Sequence, residues 1–243
     1  MHTNSEGSIK DGFCYLMNTS VSGESNKPLA IQAYELLKEK MITLELSPGM
    51  KLEEQDLMDR LGFGRTPIRE AIKMLIAEGL VVSHGTNATY VEDLTLRSAK
   101  DLRQIIQSLG AVAFDLANPQ KDFNKIIKEL ESIYENMNEA IGESDFKSYA
   151  LLNADFHRTL ARVADNVFLD HALERIYFFE TRQAYVVSLS LGDKTQFYDT
   201  FQKQHQEFID YLREKDFEKM KDLYAEHMYV AQKRLAAYFS GNN

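Results

Sequence analysis

The chain holds one cysteine, four prolines and no tryptophan among its 243 residues. A lone Cys14 excludes an internal disulfide and any metal site built on thiolates. So few prolines, only twelve glycines and long periodic runs favour a mainly α chain. No apolar run approaches the length of a membrane span. The N-terminus lacks a basic stretch followed by an apolar core, so no secretory signal is expected and the sequence points to a cytoplasmic protein. The length suffices for one large or two modest domains, each with its own core.

Positive charge is also in short supply. Lys and Arg number 28 against 37 Asp and Glu, a net charge of −9. Residues 28–92 alone hold 7 basic and 10 acidic side chains, a net of −3. Such a balance argues against broad non-specific nucleic-acid binding. Within residues 60–73, however, Arg60, Arg65, Arg69 and Lys73 face only Glu70. Phosphate neutralisation is a local matter of the docking face. A small basic footprint on an acidic body is expected, weak in one copy and strengthened in a homodimer.

That footprint lies in LGFGRTPIREAIKMLIAEGL, residues 61–80. Gly62 suits the left-handed stop of a preceding helix. Thr66 is expected to cap the next helix, about 66–78, with Pro67 at its first position. Ile68, Ala71, Ile72 and Leu75 recur at helical spacing as a buried face. Arg65, Arg69 and Lys73, four apart, line another face. A short helix with a cationic stripe is suited to a DNA major groove. Ile31, Tyr34, Leu37, Met41 and Leu44 mark an earlier helix, and residues 53–61 a short one with Glu53, Glu54 and Asp56 at its N-terminal end. Leu80-Val81-Val82 and Thr89-Tyr90-Val91 flank His84-Gly85-Thr86-Asn87 as a hairpin, with Gly85 at its tip. Three helices and a hairpin make an N-terminal winged helix-turn-helix.

The remainder divides in the same way. Residues 1–27 are rich in Ser, Asn and Gly and are expected to be a flexible tail carrying a small apolar cluster, Phe13, Tyr15, Leu16 and Met17. Residues 28–92 form the DNA-binding domain. From 95 to 240, breaks near Asn118-Pro119, Gly142 to Asp145, Asp165-Asn166, Leu191 to Asp193 and Arg213 to Asp216 separate six helices. These make a C-terminal all-helical bundle over 95–240, which the resemblance below implies is the effector-binding and dimerisation domain.

Three histidines stand on apolar-periodic helices of that bundle. Asn153 precedes His157 by four residues and shares its face, whereas Asp155 points the other way. His205 and His227 lie about eleven residues on either side of a turn around Asp216. In an antiparallel hairpin they sit at one height, roughly 16 Å from the turn. Three imidazoles and one amide oxygen then converge on a site suited to Zn, Ni, Cu or Fe. The bland reading stands beside it: a histidine on a helix is most often a hydrogen-bonded core side chain. Tyr177, Phe178, Phe179, Arg182 and Tyr185 suit either a pocket wall or packed core.

Together these motifs resemble the GntR family of bacterial transcription regulators, in its FadR subfamily with the shorter, VanR-type ligand domain. The resemblance covers about 28–240 and is most specific in SPGMKLEEQDLMDRLGFGRTPIREAIKMLIAEGL. It implies a dimer on a palindromic double-stranded operator, usually as a repressor, released or recruited by a small organic acid bound near a divalent metal. By position it implies Asn153, His157, His205 and His227 as ligands to Zn or Ni. It places Arg103 on an effector carboxylate, with a structural ion pair as the equal alternative. Arg65, Thr66, Arg69, Lys73, Gln55 and Gly85 are the implied DNA contacts. Three departures stand out. Asn153 replaces the family's usual Asp, Gly64 replaces Ser, and Asn87-Ala88 replaces the wing's Arg-Gly. A sensor whose effector is the ion itself, a structural metal and, least of all, a metal-dependent enzyme are the competing readings.

Overall fold

The computed structural model describes residues 27–85, 88–190 and 195–241, with side-chain surroundings left aside for 190 and 195–197. The expected tail with its apolar cluster, the wing tip at Thr86-Asn87 and the break at Leu191 to Asp193 lie outside the described residues. The chain separates into two units at Leu94/Thr95.

In the N-terminal unit, α1 (Leu29–Ile42) buries Ala33, Leu37, Met41 and Ile42. It stops two residues before Leu44, which turns the chain with φ of 62°. The buried Leu46 then takes the place in the core that Leu44 was expected to fill. β1 (Lys51–Leu52) follows, then α2 (Glu54–Leu61) and α3 (Arg65–Ala77). Gly62 closes α2 at φ 74°, in the conformation that only glycine adopts without strain. Gly79, also left-handed, lets the Leu80 N–H bond the Leu75 carbonyl and ends the α3 segment.

The start of α3 differs from expectation. Gly64, extended at φ −71° and ψ 172°, is the N-cap, and no side chain caps the helix. Thr66 is instead the second helical residue and is exposed. Pro67 permits this earlier start, because an N–H in the first turn has no intrahelical acceptor in any case. Ile68, Ala71, Ile72 and Leu75 form the buried face as the spacing requires. β2 (Val81–His84) and β3 (Ala88–Val91) make the hairpin, in register Val81↔Val91 to His84↔Ala88. β1 pairs antiparallel with β3, giving the order β1-β3-β2. This two-residue strand was not expected, since two residues show no alternation.

The second unit contains α4 (Leu96–Leu116), α5 (Asn124–Gly142), α6 (Phe146–Ala161), α7 (Val167–Ser190), α8 (Thr195–Glu214) and α9 (Phe217–Phe239), with a 3₁₀ turn at Arg162–Ala164. Four of these starts carry a capping side chain. Thr95 and Ser98 form a reciprocal capping box on α4. Asp145 caps α6 through the Ser148 N–H, and Asp216 caps α9 through the Lys219 N–H. The Asn166 amide oxygen accepts from the N–H groups of Phe168 and Leu169 at the start of α7. Ser144, Asp165 and Lys215 take left-handed φ at the corners. The core centres on Leu130, Met137, Phe156, Phe208, Ile209, Leu212 and Met220. α6 is its middle helix and is buried almost all round. That explains why Asp155 and His157, on opposite faces, are both inside. Among the described residues, no helix is long and apolar enough to cross a membrane.

Candidate functional site

α6, α8 and α9 bring His157, His205 and His227 together, with one ring nitrogen from each inside a group spanning 4.8 Å. The rings are 2%, 0% and 2% exposed, so a charged imidazolium would be stranded from water. Burial, reinforced by Arg103, pulls the His157 pKa down to about 3. Burial, followed by the neighbouring His157, holds His205 and His227 well below the usual imidazole range. All three are therefore neutral, the form in which histidine binds metal.

Their tautomers can be read from the shell behind them. His205 Nδ1–H donates to Gln202 Oε1 at 2.9 Å, and His227 Nδ1–H donates to Gln204 Oε1 at 3.0 Å. Gln202 is held in turn by donating to Asn138 Oδ1 at 2.8 Å. Fixing the proton on Nδ1 leaves the Nε2 lone pair as the inward atom. His205 Nε2 has no hydrogen-bond partner among the described residues. His227 Nε2 stands 3.1 Å from His157 Nε2. Two lone pairs at that distance repel unless a proton or a cation lies between them. Phe156, Phe201, Phe208 and Tyr224 pack edge-on or tilted around the rings, so solvent screening there is slight.

A cavity adjoins the cluster on the side of His227 and Asn153, with about 50 Å³ open to water-sized atoms. That is several times the space one water needs. Arg103, Tyr149, Glu180, Gln183, Ser188 and Arg234 supply the rest of its polar wall. Arg103 is buried against Glu180, its Nη1 3.5 Å from Oε1. The expected aromatic stretch lies elsewhere: Tyr177 and Phe178 are core, and the α7 residues on the wall are Glu180, Gln183, Ala184, Val187 and Ser188. Glu180, Gln202 and Gln204 were missed by sequence reasoning. Gln202 stands three residues before His205 on the same helix, a spacing that could have marked it; the partners of Gln204 and Glu180 lie 23 and 77 residues away, so nothing marks those two locally. Asp155 is not in the histidine group.

In the N-terminal unit, Arg65, Thr66, Arg69 and Lys73 are exposed on α3. Arg69 Nε donates to both Glu54 oxygens at 2.8 Å, and Lys73 pairs with Glu70 at 2.8 Å. Gln55 donates to Asp59 at 3.0 Å. Arg65 makes no ion pair among the described residues. Gly85, exposed at φ 70°, begins the wing turn.

A three-helix unit with an antiparallel wing, followed by a six-helix unit enclosing a histidine cluster, is the architecture of a one-chain bacterial regulator. The pattern of the bacterial regulatory proteins of the gntR family matches residues 29–91, and that of the FCD domain matches residues 100–229, more than half the chain. The chain belongs to the GntR family, in its FCD-containing branch. It is 26% identical over 152 residues to the uncharacterized HTH-type transcriptional regulator YdhC of Bacillus subtilis, covering 61% of this chain and 66% of that one. It is 26% identical over 142 residues to the HTH-type transcriptional repressor RspR of Escherichia coli, covering 57% and 60%. The matches thus span under two thirds of those relatives. The solved structure of E. coli McbR/YncC shares the fold, with a TM-score of 0.74, 20% identity and coverage of 90% and 100%. The matched families and relatives are transcription regulators, not enzymes.

Proposed function

We propose that this protein is an effector-responsive transcriptional repressor whose second unit senses a small organic acid beside a divalent metal. The single observation that carries the proposal is the convergence of three neutral, buried imidazoles, two of them, His205 and His227, with the Nδ1 proton tied back. The donor set fits a metal. Neutral nitrogen ligands oriented by amide acceptors are the arrangement of a built site, and Zn or Ni suits them best. His157, His205 and His227 hold the ion, with the Asn153 amide beside them on the cavity wall. When bound, the ion supplies a positive centre that attracts an anionic ligand. Arg103 presents a second cation on the same cavity.

On the DNA side, Arg65, Thr66, Arg69 and Lys73 on α3 enter the major groove, and Gln55 and the Gly85 wing turn lie against its edges. With a net charge of −9 on the chain, one copy binds weakly. Two linked copies on a palindrome make the second half-site contact intramolecular and so raise avidity.

The test is elemental analysis of purified wild type beside His157→Ala. Near-stoichiometric metal in the wild type, lost in the variant, supports the centre. Little metal in either after incubation with Zn or Ni overturns it. Operator affinity that changes with metal alone, and is indifferent to every acid tried, transfers the effector role to the ion.

A further inference from the structure

Arg103 and Glu180 form a buried pair that is incomplete on both sides. They are 6% and 2% exposed, and both line the cavity beside the histidines. Their contact of 3.5 Å is long for a charge-assisted hydrogen bond, which spans about 2.7–2.9 Å. The other contacts of the guanidinium are no better: Nη2 to Gln183 Oε1 at 3.5 Å and Nη1 to Met228 Sδ at 3.4 Å. Arg103 Nε and Glu180 Oε2 have no hydrogen-bond partner among the described residues. Ions this deeply buried are normally saturated with partners. The unfilled valences therefore describe what belongs between them: one acceptor group for Arg103 and one donor for Glu180.

We propose that Glu180 selects the ligand: the cavity takes a small carboxylate bearing a hydroxyl or ammonium group near the carboxylate. Arg103 takes the carboxylate and Glu180 accepts from the donor. This rests on reading the cavity as an organic-acid site. A plain carboxylate on Arg103 would stand beside a second carboxylate in a place from which water is largely excluded, and the two repel. A donor on the ligand turns that repulsion into a charge-assisted hydrogen bond. The wall supports the pairing, because Glu180, Gln183, Ala184 and Val187 lie at helical i, i+3, i+4 and i+7 spacing on one face of α7. Two polar groups are thus followed by two apolar ones along this wall. A site built to hydrogen-bond a ligand group discriminates strongly against the analogue that lacks it.

Calorimetric titration of the full chain with unbranched C3 to C6 acids tests this, each acid in plain, 2-hydroxy and 2-amino form. At least one donor-bearing form is expected to bind wild type about tenfold or more tighter than its plain counterpart. Glu180→Gln, a near-isosteric change, is expected to shrink that ratio below about threefold, chiefly by tightening the plain acid. Thermal melts check that the variant is folded. Plain acids that bind wild type as tightly as their counterparts, or a ratio unchanged in Glu180→Gln, overturn the role of Glu180. In that case binding that Arg103→Gln still abolishes leaves the organic-acid reading standing. If no acid in any form binds wild type, both readings fall together.

Discussion

Gly110→Ala puts one methyl group where α4 comes closest to α9. A Cβ built there meets Tyr224 Cδ1 at 2.9 Å and runs into Cε1 and Cζ well inside contact distance. The ring has nowhere to swing. Tyr224 is 4% exposed and packs edge-on against Phe114 at 5.7 Å, with Phe208 at 6.1 Å and His157 at 5.9 Å. Overpacking of this kind costs about 1–3 kcal/mol, and a blocked ring puts it at the upper end. Alanine recovers about 1 kcal/mol of helix propensity. A net loss of about 2 kcal/mol follows, or about 4–8 °C in melting temperature. Gly142→Ala is the internal control. Gly142 is the last residue of α5 and has nothing within 4 Å of its would-be Cβ. The same substitution there is expected to stabilise by up to about 1 kcal/mol. Urea unfolding followed by far-UV circular dichroism reads both, since the chain has no tryptophan to report. A Gly110→Ala protein as stable as Gly142→Ala would refute the close packing of α4 on α9. Because Tyr224 also rests on His157, the destabilised variant is expected to retain metal less well than wild type.

The remaining predictions concern the two candidate sites. Arg69→Ala is expected to weaken operator binding by about 1–3 kcal/mol, while random DNA is bound nearly as before. Glu54→Gln, which releases Arg69 from its 2.8 Å bridge, is expected to tighten binding severalfold at low salt, and gel-shift titrations read both. Burial raises the Glu180 pKa above 4.5, with Arg103 opposing, so the folded state holds that proton more firmly than the unfolded chain. Above pH 4.5 the unfolded state therefore gains by ionising first, and stability drains away as pH climbs toward the raised value. Wild type should thus lose ground to Glu180→Gln in melts taken at increasing pH above 4.5, and a constant gap would contradict this. Asn153→Asp is expected to slow metal loss to a chelator by about tenfold or more. Equal rates would place the Asn153 side chain outside the metal's reach.

Much of the fold is legible because it is written at short range. The face Ile68, Ala71, Ile72 and Leu75 repeats with the helix, and Gly62 and Gly79 stop helices through their own backbone preference. The corners at Asp145, Asn166 and Asp216 carry side chains that bond the next turn. Misreadings fell where two local choices were nearly equal. Thr66 is a better cap than Gly64 by composition. Yet beginning α3 at Arg65 adds two helical residues, and Pro67 does not object. Lys51-Leu52 becomes a strand only because β3 is beside it.

The candidate site divides along the same line. That His205 and His227 stand level follows from counting residues about one turn, since the capped corner at Asp216 makes the two helices run back along each other. His157 shares their height through no such count; the packing of α6 in the middle of the bundle puts it there. Glu180 is further still from any local signal. A glutamate on an apolar helix looks like a solvated face, and only the arrival of Arg103 from α4, 77 residues earlier, makes it a buried ion. Spacing along one helix or across one turn can therefore bring ligands of a metal within reach on paper. Selection among effectors depends on which charge is left unpaired inside, and that is a property of how separate helices meet.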